Sequence, residues 1–268
     1  MRPVPRVFTL PGTGDLFADL STSVRWEDLG KGRRGATLTK PDEAGGVPLV
    51  RTTTRYGHPA QLFQPVHENL ARRIQERAGL AVGFNTALIE RYTNVYATMG
   101  AHSDQALDLS EESSIAVYSC YRDPVADSPR RLIFEAKASG AKFDIPLNHH
   151  SVVVFSVATN RLLKHKIVLD GAARGTDNEW LGVTFRTSKT LIRFRDGHPH
   201  LGPSSRLTVA DDDQRAEFYQ LRRRENNESD FRYPPLTYTV SASDLLPPVV
   251  TDEVSSGSRP LNRDRPSS

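Results

Sequence analysis

Residues 86–121 read TALIERYTNVYATMGAHSDQALDLSEESSIAVYSCY, two apolar, β-branched runs on either side of a polar stretch centred on His102-Ser103-Asp104. Runs of this composition read as strands. On an extended segment, side chains two positions apart point the same way, so His102 and Asp104 share a face. In a polar turn such a pair is merely solvated. As two of three protein ligands to a metal, it needs a third ligand, a scaffold and a pocket from the rest of the chain.

The strand texture continues well beyond this stretch. Between residues 81 and 195 the runs AVGFNTALIERY, SSIAVYSCY, RRLIFEA, KFDIPL, SVVVFSVA, KHKIVL and LGVTFRTSKTLIRF follow one another across short polar turns. No strand–helix alternation appears there, which excludes a parallel α/β sheet and predicts an antiparallel sandwich or barrel. VHENLARRIQERAG (66–79) carries apolar residues at helical spacing and ends on glycine. GKGRRGATLTKPDEAGG (30–46) reads as a loop. DDDQRAEFYQLRRREN (211–226) reads as a charged helix whose Arg222-Arg223-Arg224 triplet is expected on a solvated face. Three parts are expected: a main domain over 1–195, an extension over 196–245 holding that helix, and a Pro/Ser-rich disordered tail over 246–268.

Composition narrows the chemistry. Of 268 residues, 37% are hydrophobic and 25% charged, enough for a sizeable core. Cys120 is the only cysteine, which excludes a disulfide framework and a thiolate zinc site. The 35 Lys+Arg against 32 Asp+Glu give +3, a balance that permits a nucleic-acid partner without requiring one. The N-terminal stretch lacks a signal-peptide core and no segment approaches a membrane span, so a cytoplasmic protein is expected, nuclear in a eukaryote.

The third ligand must come from the remaining histidines. His149 and His150 lie in a turn feeding an apolar strand, where structural hydrogen bonding is expected. His165, in NRLLKHKIVLD, enters a short strand far along the chain. Two histidines and one carboxylate on a single face leave open coordination positions, an arrangement suited to non-haem Fe(II).

Longer words around these residues carry a resemblance. FNTALIERYTNVYATMGAHSDQALDLSEESSIAVYSCYRDP resembles the central segment of the AlkB-like Fe(II)/2-oxoglutarate dioxygenases. LNHHSVVVFSVATNRLLKHKIVL is similar to that family's turn, apolar strand and distal-histidine strand. WLGVTFRTSK resembles its closing RxNxTFR strand, and VRTTTRYG the segment lying over its substrate. The pieces cover roughly residues 45–190, in the family's order.

The resemblance implies a mainly β protein with flanking helices, built on a double-stranded β-helix (jelly-roll) core. It implies His102, Asp104 and His165 as iron ligands. Arg186 falls on an arginine that pairs with a carboxylate of 2-oxoglutarate, and Tyr92 on a tyrosine that contacts the same co-substrate. The implied activity is hydroxylation at a C–H bond, with 2-oxoglutarate leaving as succinate and carbon dioxide. On a carbon attached to nitrogen the product collapses with loss of an aldehyde, which is demethylation.

The departures are as specific as the matches. Trp180 and Gly182 stand where the family has arginine and asparagine, and Glu90 stands where it has asparagine. A carboxylate at Glu90 repels a dianion unless it is turned elsewhere. Arg186 with Ser188 or Thr184 is the expected replacement anchor, and a different 2-oxo acid stays open. Gln105 follows Asp104 without the acidic base reader of the DNA-repair members; as an amide it can both donate and accept. Arg51, Arg55 and Tyr56 are the expected substrate contacts in the lid, beside Gln105 and Glu90. Oxidative demethylation of alkylated bases in single-stranded or damaged nucleic acid is the leading expectation. The alternatives are a same-fold oxygenase acting on a small molecule, nucleoside or protein side chain, and a non-catalytic binding module. No membrane partner is expected, and a monomer is.

Overall fold

The computed structural model describes residues 4–12, 14–126, 130–171, 178–202 and 205–251. Its first half runs β1 (Arg6–Thr9), α1 (Leu16–Thr22), β2 (Glu27–Asp28), β3 (Arg33–Thr39), β4 (Val47–Pro48), β5 (Gln61–Leu62), α2 (Pro65–Ala78) and β6 (Thr86–Tyr92). There follow β7 (Ser114–Tyr121), β8 (Arg130–Ala136), β9 (Lys142–Pro146), β10 (Ser151–Ser156), α3 (Val157–Leu162), β11 (Leu163–Leu169) and β12 (Trp180–Arg186). The chain closes with β13 (Leu191–Arg195), β14 (His198–His200), β15 (Thr208–Val209), α4 (Asp212–Asn227) and β16 (Tyr238–Thr239).

The major sheet has the order β1-β10-β7-β12-β6-β3-β2, with every neighbouring pair in that order antiparallel. A second sheet has the order β11-β8-β9 and is widened at β11 by residues 98–102, where Thr98 bridges Val168 and His102 bridges His165. From β6 onward the chain alternates between the two. It runs β6 in the major sheet, 98–102 in the minor, β7 in the major, β8 and β9 in the minor, then β10, β11 and β12 in turn. That alternation of antiparallel strands is a double-stranded β-helix, so the fold is mainly β with flanking helices.

The period-2 alternation of strand side chains splits the core into two layers. Ala116, Tyr118, Cys120, Val152 and Val154 face outward, against Leu20 of α1 and Leu70 and Ile74 of α2. Ile115, Val117, Val153 and Phe155 face inward, against Leu132, Phe134 and Ile167 of the minor sheet. Burial on both faces explains why β7 and β10 read as continuous apolar runs. The covering helix α2 is set by its ends. Pro65 opens it, Gln64 and His67 exchange a capping box, and Gly79 closes it at φ 58°, a conformation glycine adopts freely. No helix among the described residues is long and apolar enough to cross a membrane.

Three readings need correction. The segment 30–46, expected as a loop, contains β3, which pairs with β6 along seven residues from Arg33↔Tyr92 to Thr39↔Thr86. Its arginines and glycine mask a real alternation in which Ala36 and Leu38 enter the core. The triplet on α4 is not uniformly solvated, because Arg222 is 7% exposed. Residues 246–251, read as the start of the tail, run beside β5, where Val249 bonds Ala60 and Leu62 through the backbone. Residues 252–268 lie outside the described residues.

Candidate metal centre and its cavity

The two histidines meet because their strands pair. His102 N–H donates to His165 O at 2.9 Å and His165 N–H to His102 O at 2.7 Å, the reciprocal exchange of directly opposed antiparallel residues. Their rings lie 4.8 Å apart, centroid to centroid. Asp104, two residues on, brings Oδ1 to 3.8 Å from His102 Nε2 and 3.6 Å from His165 Nε2. Among the described residues this is the one group of three or more metal-ligating side chains that converges, with its donor atoms within 4.8 Å of one another.

The protonation states suit a cation. His102 Nδ1 lies 2.9 Å from Gly100 O; a carbonyl only accepts, so Nδ1 carries the proton and Nε2 presents its lone pair. Burial, then the neighbouring His102, pushes His165 down to about 3, so it is neutral at physiological pH. Burial alone would raise Asp104, but Arg186 and, after it, His165 outweigh that and hold the carboxyl well below the usual range. Metal bonds of about 2.1 Å place donors about 3.0–3.4 Å apart, so the Asp104–His102 and Asp104–His165 pairs need to close by only a few tenths of an ångström around an ion. Two imidazoles and one carboxylate without thiolate match Fe(II).

Side chains around the ligands hold this geometry, and apart from Arg186 no motif announced them. Asn160 on α3 clamps Asp104 from both sides of its peptide unit: Asn160 Oδ1 accepts Asp104 N–H at 2.8 Å, and Asn160 Nδ2 donates to Asp104 O at 2.7 Å. Arg186 Nε donates to Asp104 Oδ2 at 2.7 Å and leaves Oδ1 to the histidine side. From the C-terminal region, α4 holds the same segment. Ser103 N–H donates to Asn226 Oδ1 (2.9 Å), Ala106 N–H to Glu225 Oε1 (2.7 Å), and Arg222 Nη2 to Ser103 O (3.0 Å). Arg222 is in turn ion-paired with Glu225. The stretch 196–245, to which sequence reading gave no task, therefore braces the ligand segment. The signal that could have found it is the Arg222/Glu225 spacing of three on a helix.

The three ligands open into a cavity of about 500 Å³. Gln105 lies in its wall, 6% exposed, and neither its amide nitrogen nor its amide oxygen has a partner. Tyr219 and Arg223 of α4 also line it. Arg51 reaches the wall but is fully engaged, with Nε and Nη2 on Asp108 and Nη1 on the carbonyls of Leu236 and Tyr238. Arg55 is exposed and not in the wall, whereas Tyr56 is buried, with its backbone tied to Ser241. Ser188 lies outside this cavity, and its hydroxyl donates to the carbonyls of Leu49 and Thr190.

The far end of the cavity is built from β3, β6 and β12. Register places Gly182 and Gly35 on either side of Glu90, and Trp180 and Arg33 on either side of Tyr92. The Trp180 indole folds back over Gly182: a Cβ there would lie 2.0 Å from the ring, so only glycine admits it. Arg130, 0% exposed, stacks over Tyr92 and Trp180 with its guanidinium carbon 5.2 and 6.0 Å from their centroids. Arg33 reaches in from β3 and pairs with Glu90 through Nε and Nη2, while the Tyr92 hydroxyl donates to the other Glu90 oxygen at 2.7 Å. Glu90 thus turns to Arg33, the one turn its repulsion of an anion left open, and Tyr92 spends its hydroxyl on Glu90. Arg33 is the wall residue that sequence reading missed, because its strand looked like a loop.

No family model matches the chain, and no curated protein does. Among solved structures, that of OsALKBH1 is similar with a TM-score of 0.42 and 12% identity, over 64% of this chain and 89% of that one. So distant a likeness transfers neither a residue nor an activity.

Proposed function

We propose that this protein is a non-haem Fe(II) dioxygenase of the AlkB-like type that oxidises a C–H bond with the help of a 2-oxo acid. The observation that carries the reading is the convergence of His102, Asp104 and His165 on one face, open toward the cavity. Bound Fe(II) would supply oxygen activation coupled to oxidation of the co-substrate. One O2, one 2-oxo acid and one C–H bond give a carboxylate shorter by one carbon, carbon dioxide and an alcohol. The chain's own residues position and shelter this chemistry. Arg186, already beside Asp104, serves the metal-end carboxylate of the 2-oxo acid as a guanidinium donor. Leu88, Val117, Leu132 and Ile167 make the inner wall apolar and keep bulk water from it.

Gln105 supports an N-alkylated nucleobase as substrate. An amide whose donor and acceptor are both free pairs with the adjacent acceptor and donor on a base edge. A second reading, a nucleoside-sized or other small substrate, has its own observation. Four of the five arginines lining the cavity are held by carboxylates, leaving no run of open cations to follow a phosphate backbone.

Purified protein given Fe(II), O2 and a panel of 2-oxo acids is expected to release carbon dioxide, and His102→Ala or Asp104→Ala to abolish it. Methylated oligonucleotides are expected to accelerate turnover and to bind with a steep salt dependence. Metal-loaded protein that neither binds nor consumes any 2-oxo acid ends the oxygenase reading. Turnover with methylated nucleosides alone favours the second substrate class.

A further inference from the structure

The cavity wall has an unusual charge ledger. Five guanidiniums line it: Arg33, Arg51, Arg186, Arg222 and Arg223. Arg51 is bidentate on Asp108, Arg222 faces Glu225 and Arg186 faces the ligand Asp104. Arg33, away from the metal end, is taken by Glu90, whose side chain is 8% exposed. Arg223 is exposed, where a guanidinium–carboxylate contact is worth little. No lysine lines the cavity among the described residues. An ion pair at the metal end and another at the Arg33 end leave the intervening space neutral, with Leu88 and Val117 between them in the strand register.

A 2-oxo dicarboxylate does not fit this ledger. One carboxylate goes to the metal end, beside Arg186. The second arrives beside Glu90 and finds the local guanidinium already neutralised. At an effective dielectric near 20, the repulsion from Glu90 at about 5 Å is worth on the order of 100-fold in binding, which offsets the attraction that Arg33 would otherwise supply. Positions 180 and 182 supply no further cation: Trp180 fills its own place and that above Gly182 with an indole.

We infer that the co-substrate is a 2-oxo acid with a single carboxylate and an uncharged tail, rather than 2-oxoglutarate, and that the Arg33–Glu90 pair sets this choice. The inference rests on the oxygenase reading and sharpens it. Glu90 acts as the excluder of the second carboxylate, and Arg33 as the cation that Glu90 withholds. The tail lies against Leu88, Val117 and Tyr96, and Thr184 offers a hydroxyl on the same wall.

The test is binding, measured without turnover. Protein loaded with Zn(II) under anaerobic conditions is titrated calorimetrically with 2-oxopentanoate and with 2-oxoglutarate, which share a five-carbon chain and differ in the far carboxylate. In the unmodified protein 2-oxopentanoate is expected to bind at least tenfold more tightly, because the second carboxylate of 2-oxoglutarate is desolvated against a wall with no net charge to compensate it. Glu90→Gln keeps an acceptor for the Tyr92 hydroxyl but frees Arg33. It is expected to tighten 2-oxoglutarate by about 100-fold and to leave 2-oxopentanoate within a few-fold. Tighter binding of 2-oxoglutarate in the unmodified protein, unimproved by Glu90→Gln, overturns the inference and leaves the oxygenase reading standing. Binding of neither acid to metal-loaded protein overturns both. If Glu90→Gln does not fold, the ratio in the unmodified protein decides alone.

Discussion

Replacing Glu225 by alanine tests whether α4 belongs to the metal centre or merely covers it. Three bonds depend on that carboxylate: the Ala106 N–H at 2.7 Å, the Tyr233 hydroxyl at 2.7 Å and the Arg222 ion pair. Arg222 is only 7% exposed, so the variant strands a guanidinium that still donates to Ser103 O. Breaking a buried pair by removing one partner costs about 3–5 kcal/mol. The freed Ala106 N–H, two residues from Asp104, adds about 1–3 kcal/mol unless water reaches it. Against a total stability on the order of 5–15 kcal/mol, the variant is expected to be folded but clearly weakened in urea unfolding. Ser103 and Ala106 flank Asp104, so loosening them should also weaken Zn(II) binding, by roughly 10–100-fold as for other supports of metal ligands. The double variant Arg222→Met, Glu225→Leu separates the two effects. Apolar replacement of both partners should return much of the stability, while metal affinity stays low because Ser103 O and Ala106 N–H remain unheld. A Glu225→Ala protein that loses under about 1 kcal/mol and binds metal normally would refute the reasoning.

Three further outcomes follow from the same geometry. His67 is fully buried, accepts Gln64 N–H at Nδ1 and meets Ser23 Oγ at 2.8 Å; burial pushes it down to about 4. The unfolded chain then takes up the proton first, so stability is complete above pH 6.5 and declines as pH falls toward 4, by about 3 kcal/mol in all; His67→Gln should flatten that limb of the urea-midpoint profile. Gly182→Ala drives a methyl into the Trp180 indole and is expected to cost about 1–3 kcal/mol with a red shift in tryptophan emission; unchanged emission and stability would show that the indole does not lie there. Asn160→Ala removes both clamps on Asp104 and should lower metal affinity tenfold or more, measured by competition with a chelator, with the secondary structure by circular dichroism unchanged.

How far the sequence carried depends on whether burial left a trace in it. β7 and β10 are buried on both faces, so their apolar runs were unmistakable. His102 and Asp104 were legible because a two-residue spacing on an extended segment predicts a common face, and His165 because its run was a strand distant from them. β3 was hidden because Arg33, Arg34 and Gly35 imitate a loop, although Gly35 is there to let the Tyr56 hydroxyl and Leu29 approach. The bracing contacts of Asn160, Arg222, Glu225 and Asn226 left one faint trace, the spacing of three between Arg222 and Glu225 on α4. Their partners are backbone groups 56 to 123 positions away, and a bond to a peptide group imposes no matching residue on the other side.

Glu90, Trp180 and Gly182 form a single packed unit, in which neither 180 nor 182 changes alone without a steric or charge cost. Trp180 requires Gly182, since any larger residue meets the indole. With Trp180 in place, Arg130 lies over its face and over Tyr92, and its Nη atoms donate to the Tyr96 and Thr93 carbonyls, with no carboxylate among these partners. Trp180→Arg therefore introduces a second guanidinium close to one that is fully buried, at a cost on the order of several kcal/mol for the unpaired charge. The nearby acid, Glu90, cannot relieve it without releasing Arg33. Freeing a cation for a dicarboxylate thus has one inexpensive route, neutralising Glu90 and keeping the indole. A chain altered only at 180 or 182 should lose stability without gaining affinity for 2-oxoglutarate, because the charge balance of this wall is set on β3 and β6 rather than on β12.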